Sequence, residues 1–131
     1  MFKLKLSILL SAVIFMVGCV TGQSAQWKTL PEVKKASYDE TWSALVGIIT
    51  AKNYNLETVD GNSGYLRSAW GNTGNNTATQ VTARVISKKP LSISIKATMA
   101  QRDILSGQMV EVGNNTALEN AITEELSARF K

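Results

Sequence analysis

Apolar residues recur along residues 37–53 with the step of a helix. Tyr38, Trp42, Leu45, Val46 and Ile49 fall at i, i+4, i+7, i+8 and i+11, one stripe of an amphipathic helix. Ser37-Tyr38-Asp39-Glu40 fits a capping box, in which the serine oxygen accepts from an orphan amide and the glutamate reaches back. Asn53 is the natural stop. After it the period falls from 3.6 to two. Tyr54–Val59 and Tyr65–Trp70 flank Asp60-Gly61-Asn62-Ser63-Gly64, a cluster of turn formers, and predict a hairpin. Over 79–86, Val81, Ala83 and Val85 share one face, with Thr82 and Arg84 on the other. Lys88-Lys89-Pro90 turns the chain. Leu91, Ile93, Ile95, Ala97 and Met99 then alternate with Ser92, Ser94, Lys96 and Thr98, which describes a strand with one wet face. Gln108–Val112 predicts a short fifth strand. Thr116-Ala117-Leu118-Glu119 is a second capping-box match, followed by Leu118, Ile122 and Leu126 at four-residue steps, with Ala121 and Phe130 flanking.

The order helix, two hairpins, helix predicts a two-layer α+β domain over 37–131: a four- or five-stranded antiparallel sheet with one apolar face covered by two amphipathic helices. The other, polar face stays open to water or to a partner. Gly71–Thr77 reads as a polar loop joining the hairpins, the kind of segment that carries recognition. Residues 20–36 have no clean period and contain Gly22, Ser24 and Pro31. They predict a flexible tether, able to span roughly 55–60 Å if fully extended.

The N-terminus has a different pattern. Lys3 and Lys5 precede Leu6–Val17, which is apolar apart from Ser7 and Ser11 and shorter than the ~20 residues a spanning helix needs. A basic start, a short apolar tract and small residues at the end make a secretory signal over 1–18. Met16-Val17-Gly18-Cys19 resembles a bacterial lipobox, with Met16 where Leu is usual. The resemblance implies that Cys19, the only cysteine, takes a diacylglycerol and a fatty acyl chain such as palmitate and becomes the first mature residue. Val20 lacks the Asp of inner-membrane retention, which by the same resemblance implies the periplasmic face of the outer membrane. With its one thiol lipidated, the domain forms no internal disulfide and depends on its apolar core.

Composition narrows the chemistry. The net charge is +4, and two of those charges sit in the leader, so the rest of the chain carries no nucleic-acid footprint. The chain has no histidine, which removes the commonest general base, the Ser-His-Asp arrangement and most zinc or copper sites. Asp39 and Glu40 suit a helix N-terminus, Glu124 and Glu125 a solvated helix face, and Asp60 a turn. No phosphate loop and no calcium-ligand spacing occur. The expectation is a protein with no catalytic residue, no metal and no cofactor.

The residues that remain as partner or ligand contacts are Trp27, Trp70, Asn72, Asn75 and Lys96. Trp27 has three open roles: docking on the domain, the lipid interface, or a partner. Asn72 and Asn75 lie in the polar loop. Lys96, with Lys88 and Lys89, makes a small basic patch or simply a soluble hairpin tip.

The stretch from Ser37 to Trp70 also resembles, as a unit, the helix-grip repeats of the lipoprotein C component of the outer-membrane β-barrel assembly machinery. The residues that carry this are the Tyr/Asp/Glu/Thr-Trp helix start, Leu45-Val46, Ile48-Ile49, Tyr54-Asn55-Leu56-Glu57, Asp60-Gly61 and Gly64 through Trp70. The resemblance implies a helix-grip-like fold and a lipid-anchored, non-catalytic envelope protein that binds another envelope protein as an assembly or accessory factor. Two alternatives stand beside it. One is a small-ligand or lipid carrier with a cavity lined by Trp42, Trp70, Tyr54 and Tyr65. The other is a secreted inhibitor of hydrolases.

Overall fold

The computed structural model describes residues 22–33 and 36–130; the expected leader and Cys19 lie outside them. In chain order its elements are β1 (Lys28–Thr29), α1 (Tyr38–Ala51), β2 (Leu56–Asp60), β3 (Tyr65–Ser68), β4 (Gly71–Gly74), β5 (Thr77–Lys88), β6 (Leu91–Arg102), β7 (Met109–Asn114) and α2 (Thr116–Arg129). The fold is α+β, with an open antiparallel sheet of seven strands and two helices. Four or five strands were expected. The extra ones come from the segments read as tether and as loop.

The spine is the β5–β6 hairpin, two strands of twelve residues paired from Thr77↔Gln101 to Lys88↔Leu91. Alternation puts Val81, Ala83, Ile93, Ile95 and Ala97 on one face. There they meet Leu45, Ile48 and Ile49 of α1, Ile122 and Leu126 of α2, and Leu66 of β3. Each buried leucine, isoleucine or valine among them contributes about 1.5–3 kcal/mol, so this cluster drives folding.

Each spine strand shares its outer edge between two short strands. β3 and then β4 line β5, while β1 and β7 line β6. Both edges break at the same level, beside the Val81↔Ala97 pair. A ladder amide left there without a partner would be costly, and each break is closed by a side chain. Ser68 Oγ accepts from Val81 N at 2.9 Å. Glu119 Oε2, from α2, accepts from Ala97 N at 2.9 Å and from Asn114 Nδ2 at 2.7 Å. Glu119 is only 3% exposed.

The described part of the expected tether is not free chain. Gln23 bridges Val112, Ala25 N donates to Glu111 Oε1 at 2.7 Å, and Gln26 exchanges two hydrogen bonds with the Asn114 side chain. β1 then pairs with β6 at Lys28↔Ile95, and Leu30 is buried. The physical reason is the unfilled edge of β6. Where β7 leaves for α2, β6 still has ladder groups to satisfy, and the N-terminal segment satisfies them.

The expected loop at 71–77 is likewise a hairpin. β4 pairs with β5 through Gly71↔Thr79, Asn72↔Ala78 and Gly74↔Thr77, around an Asn75-Asn76 turn in which Asn76 has φ 61°. Asparagine tolerates that left-handed conformation, so two asparagines serve as a two-residue hairpin turn.

Caps follow the expectation at one helix and shift at the other. Ser37 Oγ accepts from Glu40 N at 3.2 Å, and Asn53, just past α1, takes φ 67°. At α2 the cap is Asn115, whose side chain accepts from Leu118 N, and Thr116 is already helical. Glu119 points to the sheet break instead of reaching back, because a buried amide is the more demanding donor.

Candidate functional site

The helices cover one face of the sheet, and the register decides what the other face presents. Paired residues in an antiparallel ladder share a face. The rows Tyr65↔Arg84↔Ser94, Arg67↔Thr82↔Lys96 and Asn72↔Ala78↔Ala100↔Glu111 therefore all lie on the side away from the core. Trp27, one residue before Lys28↔Ile95, falls beside Lys96 on that side. Four of the five contact candidates, Trp27, Trp70, Asn72 and Lys96, thus come to one face, although they span residues 27 to 96.

That face has two parts. In the first, the Trp27 ring carries the Arg84 guanidinium 4.1 Å and the Lys96 ammonium 4.8 Å from its centroid. Each cation on an exposed ring contributes about 0.5–1 kcal/mol. A ring reaching both spans the Thr82–Ser94 diagonal, and both of those small polar residues are buried. Of the three roles open to Trp27, docking on the domain is the one the structure displays.

In the second part the floor is small and the walls are apolar. Trp70, Ala78, Ala100, Met109 and Glu111 line a trough of about 460 Å³. Trp70 is 49% exposed and Met109 44%, whereas Ala78 and Ala100 between them are buried. Asn72, Asn75, Asn76 and Arg102 surround a continuation of about the same volume that shares Ala78 and Met109. Asn75 thus stands at the end of the trough, in the turn, apart from the ladder rows. The sequence reading did not single out Ala78, Ala100, Met109 or Arg84. Arg84 and Lys96 were both legible as wet-face from the phase of their strands, but that they are neighbours was not, because their rows meet only through the hairpin register.

The lysine patch does not form as a unit. Lys96 joins Arg84 and Trp27, while Lys88 lies 4.6 Å over the Tyr38 ring and donates to Asn62 O at 3.2 Å. Nor do the four aromatics of the carrier alternative line one cavity. Trp42 is in the core under α1, Trp70 is on the opposite side of the sheet, and Tyr54 and Tyr65 are separated by the sheet in the same way. The space between helices and sheet near Leu30, Thr41, Ile93 and Leu126 amounts to about 10 Å³, room for about one water.

The titratable groups have local explanations. Asp60 is held below the usual carboxylate range by hydrogen bonds from Ser63, side chain first and backbone second, and then by Asn62 and the Lys88 charge. Burial raises the Tyr38 hydroxyl, with Asp39 and Asp60 adding to the shift; it donates to Gly61 O at 2.6 Å. Burial also raises Tyr54, partly offset by a hydrogen bond with Thr79. Among the described residues no three carboxylate, cysteine or histidine groups converge, and no helix is long and apolar enough to cross a membrane.

No protein-family model matches the chain, and no curated protein is significantly similar to it. The site therefore rests on its own geometry.

Proposed function

We propose that this chain is a lipid-anchored, non-catalytic lipoprotein of the outer membrane, facing the periplasm, whose helix-grip-like domain binds an envelope protein through the open sheet face. The observation that carries this reading is the trough between Trp70 and Met109, floored by Ala78 and Ala100 and ended by Asn72 and Asn75. Exposed tryptophan and methionine beside small residues suit the apolar centre of a protein interface, and the surrounding asparagines suit its polar rim. The leader pattern and Cys19 support the location, and the resemblance over residues 37–70 supports the role of an assembly or accessory factor. The pocket between helices and sheet near Leu30, Thr41 and Leu126, with room for about one water, is too small for a carried ligand and favours this reading over carriage there.

Photo-crosslinking in cells tests it. A crosslinking residue placed at Asn72 or Trp70 captures a stoichiometric envelope protein, while one at Glu124 on α2 captures none. Equal yields from the two sides of the domain, or no protein adduct from the trough, defeat the proposal.

A further inference from the structure

The most exposed large apolar residues among those described are Ile104, at 89%, and Leu105, at 72%. They sit side by side in the β6–β7 turn, at the end of the sheet farthest from the β5–β6 turn. The turn that presents them pairs many of its polar groups internally. Asp103 Oδ1 accepts from Leu105 N, and its Oδ2 accepts from Ser106 Oγ. Asp103 N donates to Gln108 O, Gly107 N to Asp103 O, and Arg102 Nη1 to Gly107 O at 3.0 Å. Each bond made within the turn lowers the cost of bringing its polar groups to the membrane–water boundary, where the unpaired ones keep water, while the two apolar side chains gain.

The path of the N-terminus says which apolar phase this turn meets. Gln23 bridges Val112 in parallel, and Gly22 lies against Val110 and Glu111. Going back along the chain, the direction is therefore toward Met109 and the 103–108 turn. Cys19 is three residues before Gly22, which limits their separation to about 11 Å. Gly22, the first described residue, thus lies on the half of the sheet that ends in the apolar pair.

We infer that the Ile104–Leu105 turn rests in the bilayer interface beside the lipidated Cys19, as a second membrane contact that orients the domain. This inference rests on the lipidation proposed above. The acyl chains of a lipidated Cys19 hold the domain at the membrane but leave it free to rotate about the attachment, and a second contact fixes its orientation. In this posture the spine stands up from the membrane, with Ile86 and the β5–β6 turn distal. The twelve-residue ladder sets that distance at roughly 37 Å.

The test uses processed, lipidated protein in phosphatidylethanolamine–phosphatidylglycerol vesicles containing brominated lipid. Leu105→Cys and Ile86→Cys are each labelled with an environment-sensitive bimane. The Leu105 probe shifts to the blue and is quenched by the brominated chains, while the Ile86 probe keeps its emission in water. Two probes that respond alike overturn the inference, as does crosslinking from Leu105 to protein instead of lipid. Incorporation of a fatty-acid analogue, abolished by Cys19→Ala, is followed in parallel. Labelled Cys19 with a wet Leu105 probe removes the inference alone; no incorporation at Cys19 removes the lipidation reading and the inference with it. Ile104→Ser/Leu105→Ser, at two exposed positions, keeps the wild-type thermal transition, so a change in orientation is separable from unfolding.

Discussion

The Val81↔Ala97 pair divides the sheet into two halves held by different forces. Every strand residue of the core, Leu66, Val81, Ala83, Ile93 and Ile95, lies at that pair or on the helix-covered side of it. Beyond it, β4, β7 and the far ends of β5 and β6 hold together mainly by ladder hydrogen bonds; Trp70, just before β4, and Met109 are exposed, and Met99, Val110 and Val112 are only half-buried. One half supplies stability, and the other presents surface. Binding surfaces are drawn from regions that contribute little to the core, because a side chain satisfied inside the domain has nothing left for a partner.

The sharpest way to break this contrast is to truncate one apolar residue in each half. Leu45→Ala, at a fully buried site, lowers unfolding free energy by about 2–5 kcal/mol in a denaturant titration. Met109→Ala stays within about 0.5 kcal/mol of wild type, as exposed sites do. Equal losses would mean that the wing carries core of its own.

The two edge breaks come next in size. Glu119→Ala leaves Ala97 N without its acceptor, removes one of the two acceptors of Asn114 Nδ2, and costs about 1–3 kcal/mol. Glu119→Gln keeps an acceptor oxygen and loses less. Ser68→Ala orphans Val81 N and removes the donor to Ala69 O, but it takes away no charged acceptor, so its loss in the same titration is the smaller of the two alanine variants. The reverse order would show that the α2 carboxylate is not the closure on which β6 depends.

Native-state hydrogen exchange reads the same division without mutation. Ladder amides at 82–86 and 93–97 exchange only near global unfolding, whereas those at 98–102 and 109–113 open earlier. Uniform protection over both strands would erase the comparison.

The smallest effect is the pH response of the turn in the covered half. Asp60 titrates lower in the fold than in the open chain, where the value is about 3.9. Its contribution is therefore complete above that value and disappears as pH falls through the lower folded one. Asp60→Asn removes that part of the acid dependence, and thermal melts between neutral pH and pH ~3 measure it.

Local signals were readable where neighbours in sequence are neighbours in space. The helix stripe from Tyr38 to Ile49, the Ser37 cap and the alternation of 91–99 each rest on contacts within a few residues. The errors fell where the deciding partner was remote. Thr116 looked like a cap because of Glu119, but the Ala97 amide, far along the chain on β6, claims that carboxylate. Asn75-Asn76 carried a turn signal that the polar, glycine-rich run around it concealed. Nothing in residues 22–30 has a strand period, since two backbone pairs with β6 need none.

The amino-acid sequence by itself determined the α+β class, both helices, the central hairpin and which side of each strand is apolar. Tertiary structure alone decided that the N-terminal segment closes the β6 edge and that Trp27 meets Arg84 and Lys96. It also decided that Trp70, Asn72 and Met109 enclose one trough. Periodicity records how a segment meets its own core, whereas the assembly of a face depends on strand register, and register is set by pairings between residues tens of positions apart.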